Sequence, residues 1–219
     1  MAQITDALIS YLQKSEGGLS RSTKDTASSY PSPYIYNGQS GWHTNKGITY
    51  KTFESSAAGA GYSVTADNFL KMPNEIWGKI LKMYYWDPMY CNLYESQAIA
   101  NAVVDFAWAS GTGGSKKALI KYLGKKGIKV DGAVSIAKAF NNLAKKDGEL
   151  QVFNDLIDER KRFFKSLNQP ANEKGWLNRM ETLRKEGGIL LKDIVSSTGG
   201  KGLLIAAVLG VGMYFIFKK

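Results

Sequence analysis

A glutamate, Glu16, stands at the last turn of an amphipathic stretch and is followed at once by Gly17 and Gly18. The glycine pair removes side chains, so a bulky substrate can approach the carboxyl group. A carboxyl that carries its proton in a partly buried cleft is a general acid, and glycosidic bond cleavage needs one. An apolar wall beside Glu16 is the expected means of keeping it so. Read alone, Glu-Gly-Gly fits a surface glutamate before an ordinary helix stop better than it fits a catalytic acid. A second string, "GWHTNKGITY" at residues 41–50, places His43, Thr44 and Asn45 together, and a hydroxyl such as that of Thr44 can hold a water or a sugar hydroxyl. Asp25 follows Glu16 by nine residues and is the nearest downstream acid.

The elements that must position these groups are mostly helical. Ile4, Ala7, Leu8, Tyr11 and Leu12 share one face at the 3.6-residue period, so residues 3–16 are predicted to form a helix stopped by Gly17 and Gly18. Residues 19–43 are rich in Ser, Thr, Gly and Pro and read as irregular, with a small hairpin somewhere after Gly18. Thr49 and Thr65 are predicted caps of short helices reaching Phe53 and Leu70. Pro73 opens a helix with Ile76, Trp77, Ile80, Leu81, Tyr84 and Tyr85 on its apolar face. Residues 95–111 are apolar nearly all round and read as a buried central helix ending at Gly111. Three further helical patterns follow, within residues 115–124, 133–146 and 149–167.

Composition narrows the function classes. Of 219 residues, 44% are hydrophobic, which excludes a disordered chain. The net charge of +10 suits an anionic partner such as nucleic acid, membrane or cell-wall polymer. No nucleic-acid recognition motif accompanies it, so nucleic acid is not an expected partner. The single histidine rules out a multi-His zinc site, and the single cysteine, Cys91, rules out an internal disulfide and reads as a small buried apolar residue. No metal or cofactor is expected. The N-terminus lacks the basic start and apolar run of an export signal.

The ordered set "EGG", "TNKGIT", "YYWDPM", "VVDFAWASG", "VDG" and "KGWLNRM" resembles the glycoside hydrolase family 108 peptidoglycan muramidases, from about residue 3 to residue 184. The resemblance implies a mainly α-helical, lysozyme-like fold with a small hairpin region. It implies cleavage of the β-1,4 bond between N-acetylmuramic acid and N-acetylglucosamine, with Glu16 as the acid and Thr44 beside the attacking water. It divides the chain into a catalytic part at 1–89 and a helical peptidoglycan-binding-type part at 90–195 that completes the globular unit. The family has an acid before Pro-Gly-Gly ahead of its Thr, where this chain has "NGQSGWH". An insertion between Asp25 and Gly41 accounts for this, with Asp25 kept as the base that activates water. The rival is that the second carboxylate is lost and His43, or a water on Thr44, takes over. Sugar-binding roles are expected of His43, Asn45, Tyr50 and Trp86, with Trp108 the weakest such candidate. A lytic transglycosylase, which needs no water-activating base, and a catalytically silent wall-binding or anchor protein are the alternatives.

Residues 196–202, "SSTGGKG", have the composition of a flexible linker. Residues 203–217 are apolar and uncharged, flanked by Lys201, Lys218 and Lys219, and read as a membrane helix. As a helix they span about 22 Å at ~1.5 Å per residue, against a hydrocarbon core of ~30 Å. Snorkelling lysines and local thinning of the bilayer close that gap. A wall-degrading domain on such an anchor suits a phage, in a virion membrane or a host envelope, with lipid and virion or envelope proteins as partners. A chain ending at Ser197 is therefore expected to stay folded and soluble without detergent and to degrade peptidoglycan, while the full chain floats with liposomes. Flotation of both, beside a turbidity assay on one wall preparation, checks this. A full chain left in the aqueous fraction contradicts it.

Overall fold

The computed structural model describes residues 1–197. Thr5 begins the first helix, its hydroxyl accepting a hydrogen bond from the Leu8 amide at 3.2 Å. Helix α1 (Asp6–Glu16) buries Leu8 and Leu12 and ends on Glu16, where Gly17 takes φ +72°. The predicted caps are in place. Thr49 accepts from the Thr52 amide at 3.2 Å and starts α2 (Tyr50–Ser56). Thr65 accepts from the Asn68 amide at 3.2 Å and starts α3 (Ala66–Leu70). Pro73 caps α4 (Asn74–Leu81).

Helix α4 runs on into a π-helical turn, Lys82–Trp86, closed by the Asp87 amide on the Lys82 carbonyl at 2.9 Å. The central helix α5 (Gln97–Lys125) is broken at Gly111, which has φ +70° and ψ +154°, so its first half ends where the apolar run does. Around it lie α6 (Ala133–Asp147), α7 (Glu149–Ser166) and α8 (Pro170–Ser197). One apolar cluster joins residues from Ala2 to Leu191, so helices from both halves of the described chain share a core. Cys91 lies within it, and burial pushes its thiol pKa up.

The sheet is minimal. Strands β1 (Thr44–Asn45) and β2 (Ile48–Thr49) pair antiparallel across a two-residue turn. Lys46 and Gly47 have φ +47° and +78°, the pattern of a turn with two left-handed residues, whose twist matches a right-handed strand pair. Ser20 joins as an isolated bridge to Thr44, so the chain leaving α1 runs beside β1.

Among the described residues no helix is long and apolar enough to cross a membrane. The apolar segment at 203–217 lies outside the described residues. So does most of the 196–202 linker, whose Ser196 and Ser197 are the last residues of α8.

A charged pair sits inside the helical core. Asp105 on α5 and Arg160 on α7 are both fully buried and bonded to each other. Arg160 also donates to the Ala102 carbonyl at 3.0 Å. Burial alone pushes the Asp105 carboxyl up, but Arg160 and Arg179 outweigh it and hold the group below the usual carboxylate range. A depressed carboxylate stabilises the fold above its unfolded pKa, about 3.9, and that contribution fades as pH falls through the folded value. Replacing Asp105 by Asn leaves two guanidinium groups around a neutral amide and is expected to cost about 3–5 kcal/mol. Denaturant melts of both proteins between pH 3 and 7 check this: the parent loses its advantage only below about pH 4.

Candidate active site

Glu16 is held on two sides. Its Oε1 accepts from Nη1 of Arg179 on α8, and the side chain retains 20% exposure. On the other side stands Gly47. A Cβ built there would lie 2.8 Å from Cγ, 2.9 Å from Cβ and 2.9 Å from Oε2 of Glu16. The hairpin turn thus comes so close to the acid that only glycine fits, which adds a steric reason to the left-handed backbone one. The turn is itself fixed: Trp77 Nε1 donates to the Lys46 carbonyl at 2.9 Å, and Lys46 Nζ donates to the Met72 carbonyl at 2.9 Å. Nothing lies within 4 Å of a Cβ built at Gly17 or Gly18, so the approach to Glu16 over these glycines is open.

Arg179 is fastened before it meets Glu16. Its Nε and Nη2 donate to Asp105 Oδ1 at 2.9 and 2.7 Å. Burial alone would lower the Arg179 pKa, and the Asp105 and Glu16 carboxylates more than reverse that. The expected apolar wall beside Glu16 is therefore corrected: the neighbour is a guanidinium anchored in the core. Tyr85 belongs to the π-helical turn. Burial and then the Glu16 charge push its hydroxyl pKa up. Trp108 packs between Tyr85 and Trp77, with ring centroids 4.8 and 4.7 Å away.

Thr44 is half-buried on β1, beside Ser20, whose amide donates to the Thr44 carbonyl at 2.8 Å. His43 is fully buried and bridges two groups. Its Nε2 lies 3.1 Å from the Ser22 carbonyl and its Nδ1 2.9 Å from the Thr44 hydroxyl. A carbonyl only accepts, so Nε2 carries the hydrogen. In the neutral ring Nδ1 then accepts the Thr44 hydroxyl hydrogen. The lone pairs of Thr44 Oγ1 stay free to hold a water. His43 is thus a support for Thr44, and the expectation that it touches substrate is corrected.

Asp25 is exposed. Its Oδ1 accepts from the Ala27 amide at 2.9 Å, capping a 3-10 turn, and Oδ2 has no hydrogen bond among the described residues. Its amide donates at 3.0 Å to Ser22, the residue whose carbonyl faces His43. The Asp25 loop therefore hangs from the His43–Thr44 segment.

The other sugar-binding expectations are corrected by burial. Asn45 is 4% exposed, and its amide donates to the Phe69 and Leu70 carbonyls at 2.7 and 2.9 Å, tying off the end of α3. Tyr50 is buried among Tyr30, Tyr34, Phe53 and Phe69. Trp86 is buried as well, 3% exposed. Arg179 and Tyr85 were not foreseen as site residues. Among the described residues no group of His, Cys, Asp and Glu is placed to hold a metal.

Residues 9–111 match the family model described as Glycosyl hydrolase 108, and this makes the chain a glycoside hydrolase. The fold is shared with the structure of Brucella abortus SagA: TM-score 0.58, 23% identity, covering 84% of this chain and 92% of that one. No curated protein matches the chain. The matched segment carries Glu16, Asp25, Thr44, Gly47, Tyr85 and Asp105, while Arg179 reaches the same carboxylate from outside it.

The Gly47 contact generates a test. Gly47→Ala forces Glu16 to move, because the added methyl meets its Cβ and Cγ and not only its flexible end. A displacement near 1 Å at a reacting group costs on the order of 10²-fold in turnover. Glycosidase assays beside near-UV circular dichroism are expected to show that loss with tertiary packing retained. Activity at the parent level would contradict the placement of Glu16.

Proposed function

We propose that this glycoside hydrolase is a peptidoglycan muramidase with Glu16 as its general acid. The observation that carries the reading is the setting of Glu16: a carboxylate at a helix end, open on the Gly17–Gly18 side, fixed by Arg179 and by the Gly47 turn. The match of residues 9–111 to a glycosyl hydrolase family supports it. The resemblance in "EGG" and "TNKGIT" supports the substrate, the β-1,4 bond between N-acetylmuramic acid and N-acetylglucosamine.

In this reaction Glu16, having taken up a proton from solvent on its open side, gives it to the glycosidic oxygen as the bond from that oxygen to the anomeric carbon breaks. Water held at the Thr44 hydroxyl adds to the anomeric carbon. Its proton passes to Asp25 through Oδ2, the oxygen not used in capping. Arg179 orients Glu16 through one N–H while Asp105 accepts from two others. Such a division of two carboxyl groups between acid and base inverts the sugar centre and needs a separation of about 6.5–9.5 Å. The exposure of Asp25 favours a second reading, a lytic transglycosylase, in which the sugar's own hydroxyl replaces water. The uncharged run at 203–217 supports a membrane-anchored enzyme that opens the wall during phage entry or lysis.

Glu16→Gln is expected to lower wall lysis by roughly 10²–10⁴-fold, the usual worth of general acid catalysis, without unfolding the protein. Asp25→Asn is expected to cost nearly as much. Turbidity clearing of purified walls measures both. Clearing at the parent rate by the Gln variant rules out Glu16 as the acid. Parent-rate clearing by the Asn variant removes Asp25 from the mechanism and favours the transglycosylase.

A further inference from the structure

Residues 26–40, the stretch read as an insertion, and Trp42 just after it carry aromatic rings that the reaction does not use. Tyr36 and Gln39 pair their amides and carbonyls at 2.9 and 3.0 Å around Asn37 and Gly38, whose φ values of +49° and +71° make a second tight turn. Trp42 Nε1 donates to the Gln39 carbonyl at 2.9 Å, and the Trp42 carbonyl accepts from the Ser32 amide at 2.7 Å. The Tyr36 and Trp42 rings meet edge to face at 6.2 Å. Tyr36 keeps 40% and Ile35 71% of their surface exposed. Arg21 sits 5.7 Å from the Trp42 ring centre and makes no ion pair among the described residues. Trp42 is half-buried and packs against the core, whereas Tyr36 leans on it from the solvent side, and an exposed ring beside an unpaired cation is costly to present to water.

We infer that Tyr36 and Trp42 form a platform that extends the glycan cleft and stacks an additional ring of a β-1,4-linked amino-sugar chain, with Arg21 at hand for a carboxylate on that chain. This rests on the wall-polymer reading above. Three observations favour a saccharide over other occupants. Trp42 lies two residues from Thr44, at most about 7 Å along an extended chain, so the platform continues the proposed reaction site. The Trp42 ring is fixed by its bond to the Gln39 carbonyl and the Tyr36 backbone by the turn, which preorganises aromatic surface for the C–H side of a sugar. Polar groups, namely the Tyr36 hydroxyl, Gln39 and Arg21, rim the patch, whereas Ile35 is its one strongly exposed aliphatic side chain. A lipid surface asks for the reverse balance.

The test measures binding of the full-length Glu16→Gln protein, in detergent micelles, to peptidoglycan glycan strands four and eight sugars long. Adding Tyr36→Ala is expected to weaken binding of the longer strand by about 2–10-fold, and more than that of the shorter. Tyr36→Phe, which keeps the ring, is expected to restore the preference for length. Equal affinities for Tyr36→Ala and its parent, or equal losses at both lengths, would overturn the platform. So would loss of liposome flotation with glycan affinity intact, which assigns the patch to a lipid surface. A parent that binds neither strand overturns the wall-polymer reading and the platform together.

Discussion

Arg179 is shared between two carboxylates, and most of the site depends on that. Asp105 takes two of its donors from inside the core and Glu16 takes one at the surface. Asp105 is in turn bonded to Arg160, also fully buried. The series alternates in sign, so no buried charge lacks an opposite neighbour. A buried charge that loses its partner costs several kcal/mol, so each member requires the others. The four residues come from α1, α5, α7 and α8, and the packing of those helices sets where the Glu16 carboxylate points. A surface glutamate after a frayed helix end would sample many rotamers. This one inherits the rigidity of the core.

The second constraint is the close approach of the hairpin turn. Gly47 leaves no room between the backbone and Glu16, and Trp77 and Lys46 hold the turn there. The same hairpin carries Thr44, and His43 ties Thr44 to the Ser22 carbonyl. One short sheet therefore does two jobs: it limits the acid on one side and presents a hydroxyl on the other. The low strand content of the fold is sufficient because the polar support is supplied by side chains.

The parts of the fold carried by local chemistry were legible in the sequence. Thr49 and Thr65 each sit just ahead of a short apolar pattern, and a hydroxyl there caps a helix wherever the fold places it. The apolar run before Gly111 could only be buried, and it is. Glu16 stood out because a helix stop follows it directly. Arg179 did not, since its partner lies 163 residues away and no spacing rule links them. The π-helical turn was not legible, and within it Trp86 is buried while the Tyr85 hydroxyl senses the Glu16 charge. Asn45 and Tyr50 were misread because residue type gives no burial: a polar amide beside a candidate Thr looks like a ligand, yet its hydrogens satisfy the carbonyls of α3. The Lys46–Gly47 turn had a signal, a glycine between two β-prone segments, that marks a tight hairpin.

The account's central claim is that a fixed Glu16 and a water on Thr44 hydrolyse the wall polymer. Digestion of purified peptidoglycan in heavy-oxygen water, followed by mass spectrometry of the fragments, tests it most directly. The account predicts fragments ending in a reducing N-acetylmuramic acid that carries one heavy oxygen. Fragments ending in 1,6-anhydro-N-acetylmuramic acid with no heavy oxygen would contradict it, because no water would have reached the anomeric carbon.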